Sequence, residues 1–452
     1  MSTLNSVEPI RSDPSSGLRG RVRVPGDKSM SHRAMILATL ASGPTTIDGL
    51  LEGEDVLATA AAMRQFGARI SNPETGVWRV EGPGVGALLE PDETIDCGNA
   101  GTGVRLIMGM AAAYPFATTF TGDASLRKRP MGRVLTPLME MGAQIVARNG
   151  GLLPLSLRGN NPPLPISYTV PVPSAQVKSA VLLAALSTEG QTTVIEPIPT
   201  RDHSERMIRG FGGDINVRTK DTGETEIVIN GGRPLTSPGR LTIPTDPSSA
   251  AFPIVAALIT PNSELIVEDV MLNETRTGLI TTLLEMGADL NISNRRNEGG
   301  EDVADITVRS SNLRGVSVPA DRAPSMIDEY PVLAIAASYA RGETKMTGLH
   351  ELRVKESDRL AAMSEGLRVN GVTHEAGEDW LTVAGQNKSV LGGGVVPTHL
   401  DHRIAMSFLV MGMASQQGVT VDDGNVIATS FPQFLPLMES LGARFSSLSN
   451  RS

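Results

Sequence analysis

Residues 282–290 read TLLEMGADL. Leu279, Leu283 and Met286 follow a helical period, and Gly287 ends the run before a short strand-like stretch. A glycine suits the position just past a helix, where the backbone turns left-handed. The same signature occurs at Gly67 (FGARI), Gly142 (MGAQI), Gly212 (FGGDI), Gly371 (NGVTH) and Gly442 (LGARF), with spacings of 70 to 84 residues. Units of that length exceed solenoid repeats of about 20–50 residues. Two globular halves of three units each fit the usual domain size better.

A second helical pattern also recurs six times, opening on small polar residues and running on as an Ala-rich apolar stretch. Its openings are Gly26-Asp27-Lys28-Ser29, Gly98-Asn99-Ala100-Gly101-Thr102, Pro173-Ser174-Ala175-Gln176, Pro247-Ser248-Ser249, Pro324-Ser325-Met326 and His399-Leu400-Asp401-His402. Ser, Asn and Asp are good N-caps, and a nearby Pro or Gly fits a helix start. Each unit therefore reads as two helices with about four short strands. RVRVPGDKS (21–29) matches RLTIPTDPSS (240–249) in pattern, which places the chain crossings there. The expected domains are 22–241, and 1–21 plus 242–452.

The chain has 452 residues and 40% apolar content, enough for two cores. Only 3% is aromatic, so Leu, Val, Ile, Ala and Met must build them. A net charge of −9 without a basic tract argues against general nucleic-acid binding. Cys97 is the only cysteine, which excludes an intramolecular disulfide and a cysteine zinc cage. Neither a long apolar run nor an apolar leader is evident, so a cytoplasmic protein that does not bind membranes is expected.

Several helix starts carry cations, although the helix dipole disfavours them there. They are Lys28 and Arg33, Lys178, and His402-Arg403. Arg353-Val-Lys355-Glu356-Ser-Asp358-Arg359 reads as another helix opening, with Lys355 and Arg359 one turn apart on one face. Local rules broken at equivalent points of a repeat point to function. A bound anion resolves the conflict, because helix N–H groups and cations then converge on it. Arg127-Lys128-Arg129 reads as an anion clamp on a closing loop. Asp328, expected inside an apolar helix, is a candidate general base or hydroxyl orienter, and Glu356 a candidate proton donor.

PGDKSMSHR (25–33), GNAGTGVR (98–105), GDASLRKRPM (122–131), SAQVKSA (174–180), SMIDEYP (325–331), RVKESDR (353–359) and THLDHRIAMS (398–407) resemble the 3-phosphoshikimate 1-carboxyvinyltransferase family. The resemblance runs from about Leu18 to about Ala443. It implies an α/β fold, the two-domain inverse α/β barrel. Each domain would hold three βαβαββ repeats with pseudo-threefold symmetry, and the active site would lie in the cleft between domains. It also implies that Lys28, Ser29, Arg33, Ser174, Ala175, Gln176, Asp328 and Lys355 hold shikimate 3-phosphate, with Arg201 a weaker candidate. Lys28, Gly101, Arg129, Gln176, Arg359 and Arg403 would hold phosphoenolpyruvate.

The implied catalytic set is Asp328, Glu356, Lys355 and Lys28, with Glu356 as acid and either Asp328 or a neutral Lys355 as base. No metal or organic cofactor is expected, and a monomer is. Two departures from the family pattern stand out. Thr429-Ser430-Phe431-Pro432 lacks the lysine that many members carry in this block, and with it one phosphate contact. Leu106 follows Arg105 where Pro is common. Gly101 keeps the small residue that leaves room for the inhibitor glyphosate, so sensitivity is the expectation. The rivals are the carboxyvinyltransferase acting on UDP-N-acetylglucosamine, and a non-catalytic repeat scaffold. The first often has a reactive loop Cys, and here that loop reads Asp123-Ala-Ser125-Leu-Arg127.

Overall fold

The computed structural model describes residues 7–448, which form two compact units. One comprises Gly26–Ile243 with Glu298–Gly300; the other takes the chain up to Pro25, Pro244–Asn297 and the chain from Glu301 on.

The Gly26–Ile243 unit contains α1 (Lys28–Leu40), α2 (Glu54–Gln65), α3 (Gly101–Ala111), α4 (Gly132–Glu140), α5 (Ala175–Ala185) and α6 (His203–Gly210). Its three four-stranded sheets share one order. In the third, Ser167–Thr169 runs parallel to Gln191–Glu196, which is followed by the antiparallel strands Thr225–Asn230 and Asp214–Thr219. α5 connects the first two strands and α6 leads to the hairpin, so the repeat is βαβαββ.

α1, α3 and α5 are buried on nearly every side; this suits the largely apolar α3 and α5, whereas α1 also buries Ser31, His32 and Arg33. Small residues let them approach closely. A Cβ on Gly109 of α3 would lie 2.5 Å from the Cα of Ala180 on α5, so Gly109→Ala would force these helices apart. α4 is instead one-sided, burying Val134, Leu135 and Leu138.

The other unit repeats this plan with α7 (Pro247–Ile259), α8 (Gly278–Glu285), α9 (Tyr330–Tyr339), α10 (Arg359–Val369), α11 (His402–Ala414) and α12 (Phe434–Ser440). α7, α9 and α11 are the buried helices, enclosed with three more four-stranded sheets. Asp27, Ser174, Asp246 and Asp401 cap their helices through side-chain oxygens. The six glycines of the repeat have φ between 74° and 108°, the left-handed range their position requires.

The strands at the seams exchange places. Arg19–Val22 pairs in parallel with Glu264–Met271, whereas Arg240–Thr242 pairs in parallel with Pro44–Asp48. Ile10–Asp13 fills the last sheet between Val419–Val421 and Arg444–Ser447. Among the described residues, no helix is long and apolar enough to cross a membrane.

Candidate active site

In the Gly26–Ile243 unit, Asp27 accepts a bond of 2.7 Å from the Met30 amide and so fixes the start of α1. Lys28 is the first helical residue and ion-pairs with Asp55. Arg33 is buried. Its Nε donates to Ser204 Oγ and its Nη2 to Ser179 Oγ, both at 2.7 Å, and its Nη1 to the Ser29 carbonyl at 2.9 Å. His32 lies behind them, 2.8 Å from Thr59 Oγ1. Burial, reinforced by Lys28 and Arg33, pushes its imidazole down to about 3. It is therefore neutral and adds no charge to the cations beside it.

A second group gathers at the start of α3. Arg105 Nη1 donates to the Gly101 carbonyl at 2.9 Å and to Gln176 Oε1 at 3.0 Å, while Gln176 Nε2 donates to Thr102 Oγ1 at 2.9 Å. Arg129 donates to the Asn99 side chain and to Ser125, and Asn99 in turn donates to Asp123. A Cβ on Gly101 would lie 2.6 Å from Arg129 Nη1 and 3.2 Å from Arg105 Nη1. The missing side chain thus allows two guanidinium groups to meet at a helix start, an arrangement suited to an anion. Arg105 was not singled out from sequence; its place one turn after Gly101 was the available signal. Ser174 caps α5, Ala175 opens it, and half-buried Arg201 lies just before α6.

Lys178 does not join these groups. Its Nζ lies 2.7 Å from Glu196 and 2.8 Å from Glu205, all three side chains being almost fully buried. Burial acts to lower this lysine, but the two carboxylates outweigh it and hold it above its usual value. The local rule it breaks is resolved by interior counter-ions, and no bound anion is needed.

In the other unit, Asp328 Oδ1 lies 3.1 Å from Arg359 Nη1 and 3.5 Å from Lys355 Nζ. Arg359 also pairs with Glu356, and its Nε donates to Asp401 Oδ2 at 2.8 Å. Asp401 caps α11 by accepting from the Arg403 amide at 2.9 Å, and Arg403 Nη1 donates to the Asp328 carbonyl at 3.2 Å. Burial works to lower Arg359, yet Asp401, Glu356 and Asp328 together raise it, so it stays charged. His399 and Leu400, just before Asp401, have φ of 51° and 61°. Left-handed backbone at non-glycine residues stores strain and clusters at functional sites. Here it precedes the residue that both caps α11 and grips Arg359.

Two local expectations are corrected. Asp328 lies in the turn before α9, because α9 begins only at Tyr330. Lys355 and Arg359 do not share a helix face. His350–Val354 is a 3-10 helix, Lys355 ends it, and α10 opens at Arg359 with Asp358 as its cap. Asp358 is a strong N-cap, so it stops the helix from extending back to Lys355. Tertiary pairing with Asp328 brings the two cations together instead. Thr429, in the block where the family lysine is missing, lies 3.2 Å from His402 Nδ1.

The model of the EPSP synthase (3-phosphoshikimate 1-carboxyvinyltransferase) family matches residues 12–438. A 3-phosphoshikimate 1-carboxyvinyltransferase from Chelativorans sp. (strain BNC1) is 60% identical, covering 96% of this chain and 97% of its own. One from Parvibaculum lavamentivorans is 58% identical, covering 98% of each. An EPSP synthase structure from Acinetobacter baumannii superposes with a TM-score of 0.85 at 42% identity, over 97% of this chain and all of its own. The enolpyruvyl transferase NikO from Streptomyces tendae, at 17% identity and a TM-score of 0.77 over 98% of this chain and 99% of its own, shares the fold alone. The expected fold class stands: this is the two-domain inverse α/β barrel. The chain belongs to the EPSP synthase (3-phosphoshikimate 1-carboxyvinyltransferase) family.

Proposed function

We propose that this chain joins phosphoenolpyruvate to the 5-hydroxyl of shikimate 3-phosphate and releases inorganic phosphate. The hydroxyl oxygen adds to C2 of phosphoenolpyruvate while C3 gains a proton. The tetrahedral intermediate then loses phosphate, and C3 gives a proton back as the double bond re-forms. The steps need an acid at C3, a base for the hydroxyl and strong neutralisation of anions. Family membership supports the substrates. For the residue roles, support comes chiefly from the network in which Arg359 joins Asp328 to Glu356 and Lys355 flanks Asp328.

In this reading Glu356 is the acid at C3. Asp328 orients the 5-hydroxyl and takes its proton, with Lys355 at ion-pair distance as counter-charge. Lys28, Arg129, Gln176, Arg359 and Arg403 hold phosphoenolpyruvate together with the backbone at Gly101. Ser29, Arg33, Ser174, Ala175, Gln176 and Arg201 join Lys28, Asp328 and Lys355 on shikimate 3-phosphate. The chain works as a cytoplasmic monomer without a cofactor. The test is phosphate release with both substrates and with each omitted in turn. Release only when both are present is expected; release without shikimate 3-phosphate, or none at all, contradicts the reading.

A further inference from the structure

We infer that Glu329 is a positioning residue that turns Arg403 to present its Nε/Nη2 edge to an anion. The inference rests on the proposed role of Arg403 in holding phosphoenolpyruvate. Ser248 in the first turn of α7, Glu329 just before α9 and Arg403 in the first turn of α11 come together. The Glu329 side chain is 3% exposed. Its Oε1 accepts from Ser248 Oγ, and among the described residues its Oε2 has no hydrogen-bond partner.

Burying a carboxylate with one oxygen unsatisfied is costly and calls for a compensating role. Helix capping is not that role, because Glu329 makes no side-chain cap bond to α9. Buried Arg276 donates to Ser248 Oγ at 2.8 Å, while the ion-pair partner of Glu329 is Arg403, whose Nη1 lies 3.8 Å from Glu329 Oε1 and 3.2 Å from the Asp328 carbonyl. Both restraints act on Nη1. Among the described residues, Nε and Nη2 of Arg403 make no hydrogen bond to the protein. Those two nitrogens form the edge that takes a carboxylate or phosphate through two parallel bonds. Glu329 thus holds the guanidinium by one corner and leaves its bidentate edge for substrate.

The experiment measures steady-state phosphate release and melting temperature for Glu329→Gln, Arg403→Ala and the double variant. Gln keeps the shape and the acceptor for Ser248 while removing the charge. For Glu329→Gln we expect KM for phosphoenolpyruvate to rise about fivefold or more, KM for shikimate 3-phosphate to stay within about twofold, and Tm to move by no more than about 3 °C. In the Arg403→Ala background the same change should add less than about twofold, because a residue acting through Arg403 has nothing left to position.

An unchanged KM for phosphoenolpyruvate in Glu329→Gln overturns the inference, as does an equal rise with and without Arg403. If Glu329→Gln does not fold, Ser248→Ala serves instead, since it removes the donor that holds the carboxylate. The same selective rise then supports positioning, and its absence overturns it. Should Arg403→Ala itself leave KM for phosphoenolpyruvate unchanged, the assignment of Arg403 fails first. Should only the Glu329 effect be missing, the proposed function is untouched.

Discussion

Lys178 and Arg359 are both buried cations in the first turn of a helix, each 1% exposed, yet their counter-ions differ. The carboxylates around Lys178 are 2% and 3% exposed, so its network closes on itself. It ties α5 to the strand Gln191–Glu196 and to α6. The carboxylates around Arg359 range from Asp401 at 0% to Asp328 at 15% and Glu356 at 18%. That network has a buried anchor and a half-open end, where Lys355 also sits. A cation that breaks the helix-dipole rule can thus be resolved in two ways. Interior counter-ions make it structural, and partly exposed ones leave it able to meet a ligand.

The largest effect expected is on folding. Lys178→Met and Arg359→Met should each cost about 3–5 kcal/mol in denaturant unfolding, because each leaves buried carboxylates without their cation. Next, combining Lys178→Met with Glu196→Gln and Glu205→Gln should recover most of that loss, about 3 kcal/mol or more, if the triad is purely structural. At the half-open end, Glu356→Gln should leave substrate binding intact but slow hydrogen exchange at C3 of phosphoenolpyruvate by at least about tenfold. Unaltered exchange would place the acid elsewhere.

His32 gives a smaller, pH-dependent effect. Its folded value of about 3 is below the ordinary 6.5, so between these values the unfolded chain binds a proton that the native state does not. Stability is then fully present above pH 6.5 and falls as the pH drops towards 3, by up to about 1.4 kcal/mol per pH unit. A His32→Asn variant should show a shallower acid slope in chemical denaturation between pH 6 and pH 4. The smallest change is Asp358→Ala, which removes the cap of α10 at a cost of about 1 kcal/mol in thermal or denaturant unfolding.

Much of the fold could be read from local chemistry. A glycine at a helix end and a small polar cap at a helix start are physical requirements within a few residues, so both patterns recur across the repeats. Order within the sheets was less accessible. That Ile10–Asp13 completes a sheet with Arg444–Ser447 depends on pairing across the whole chain. At the candidate site, Asp328, Lys355, Glu356, Arg359 and Arg403 stood out by residue type and motif.

The expected shared helix face of Lys355 and Arg359 does not form, because the capping side chain of Asp358 stops the helix there. Asp401 sat inside a quoted motif, but its hold on Arg359 spans 42 residues. Nothing local shows that Glu329 is buried against Ser248, 81 residues away in the chain. Nothing local separates Lys178 from the other helix-start cations, because Glu196 and Glu205 approach it only in the folded chain.

The division between closed and half-open networks is tested most directly by kcat/KM for phosphate release in Lys178→Met and Arg359→Met, at a temperature where both remain folded. We expect Lys178→Met to stay within about threefold of the parent and Arg359→Met to fall by about a thousandfold or more. Equal losses in the two variants, or a greater loss in Lys178→Met, would contradict it.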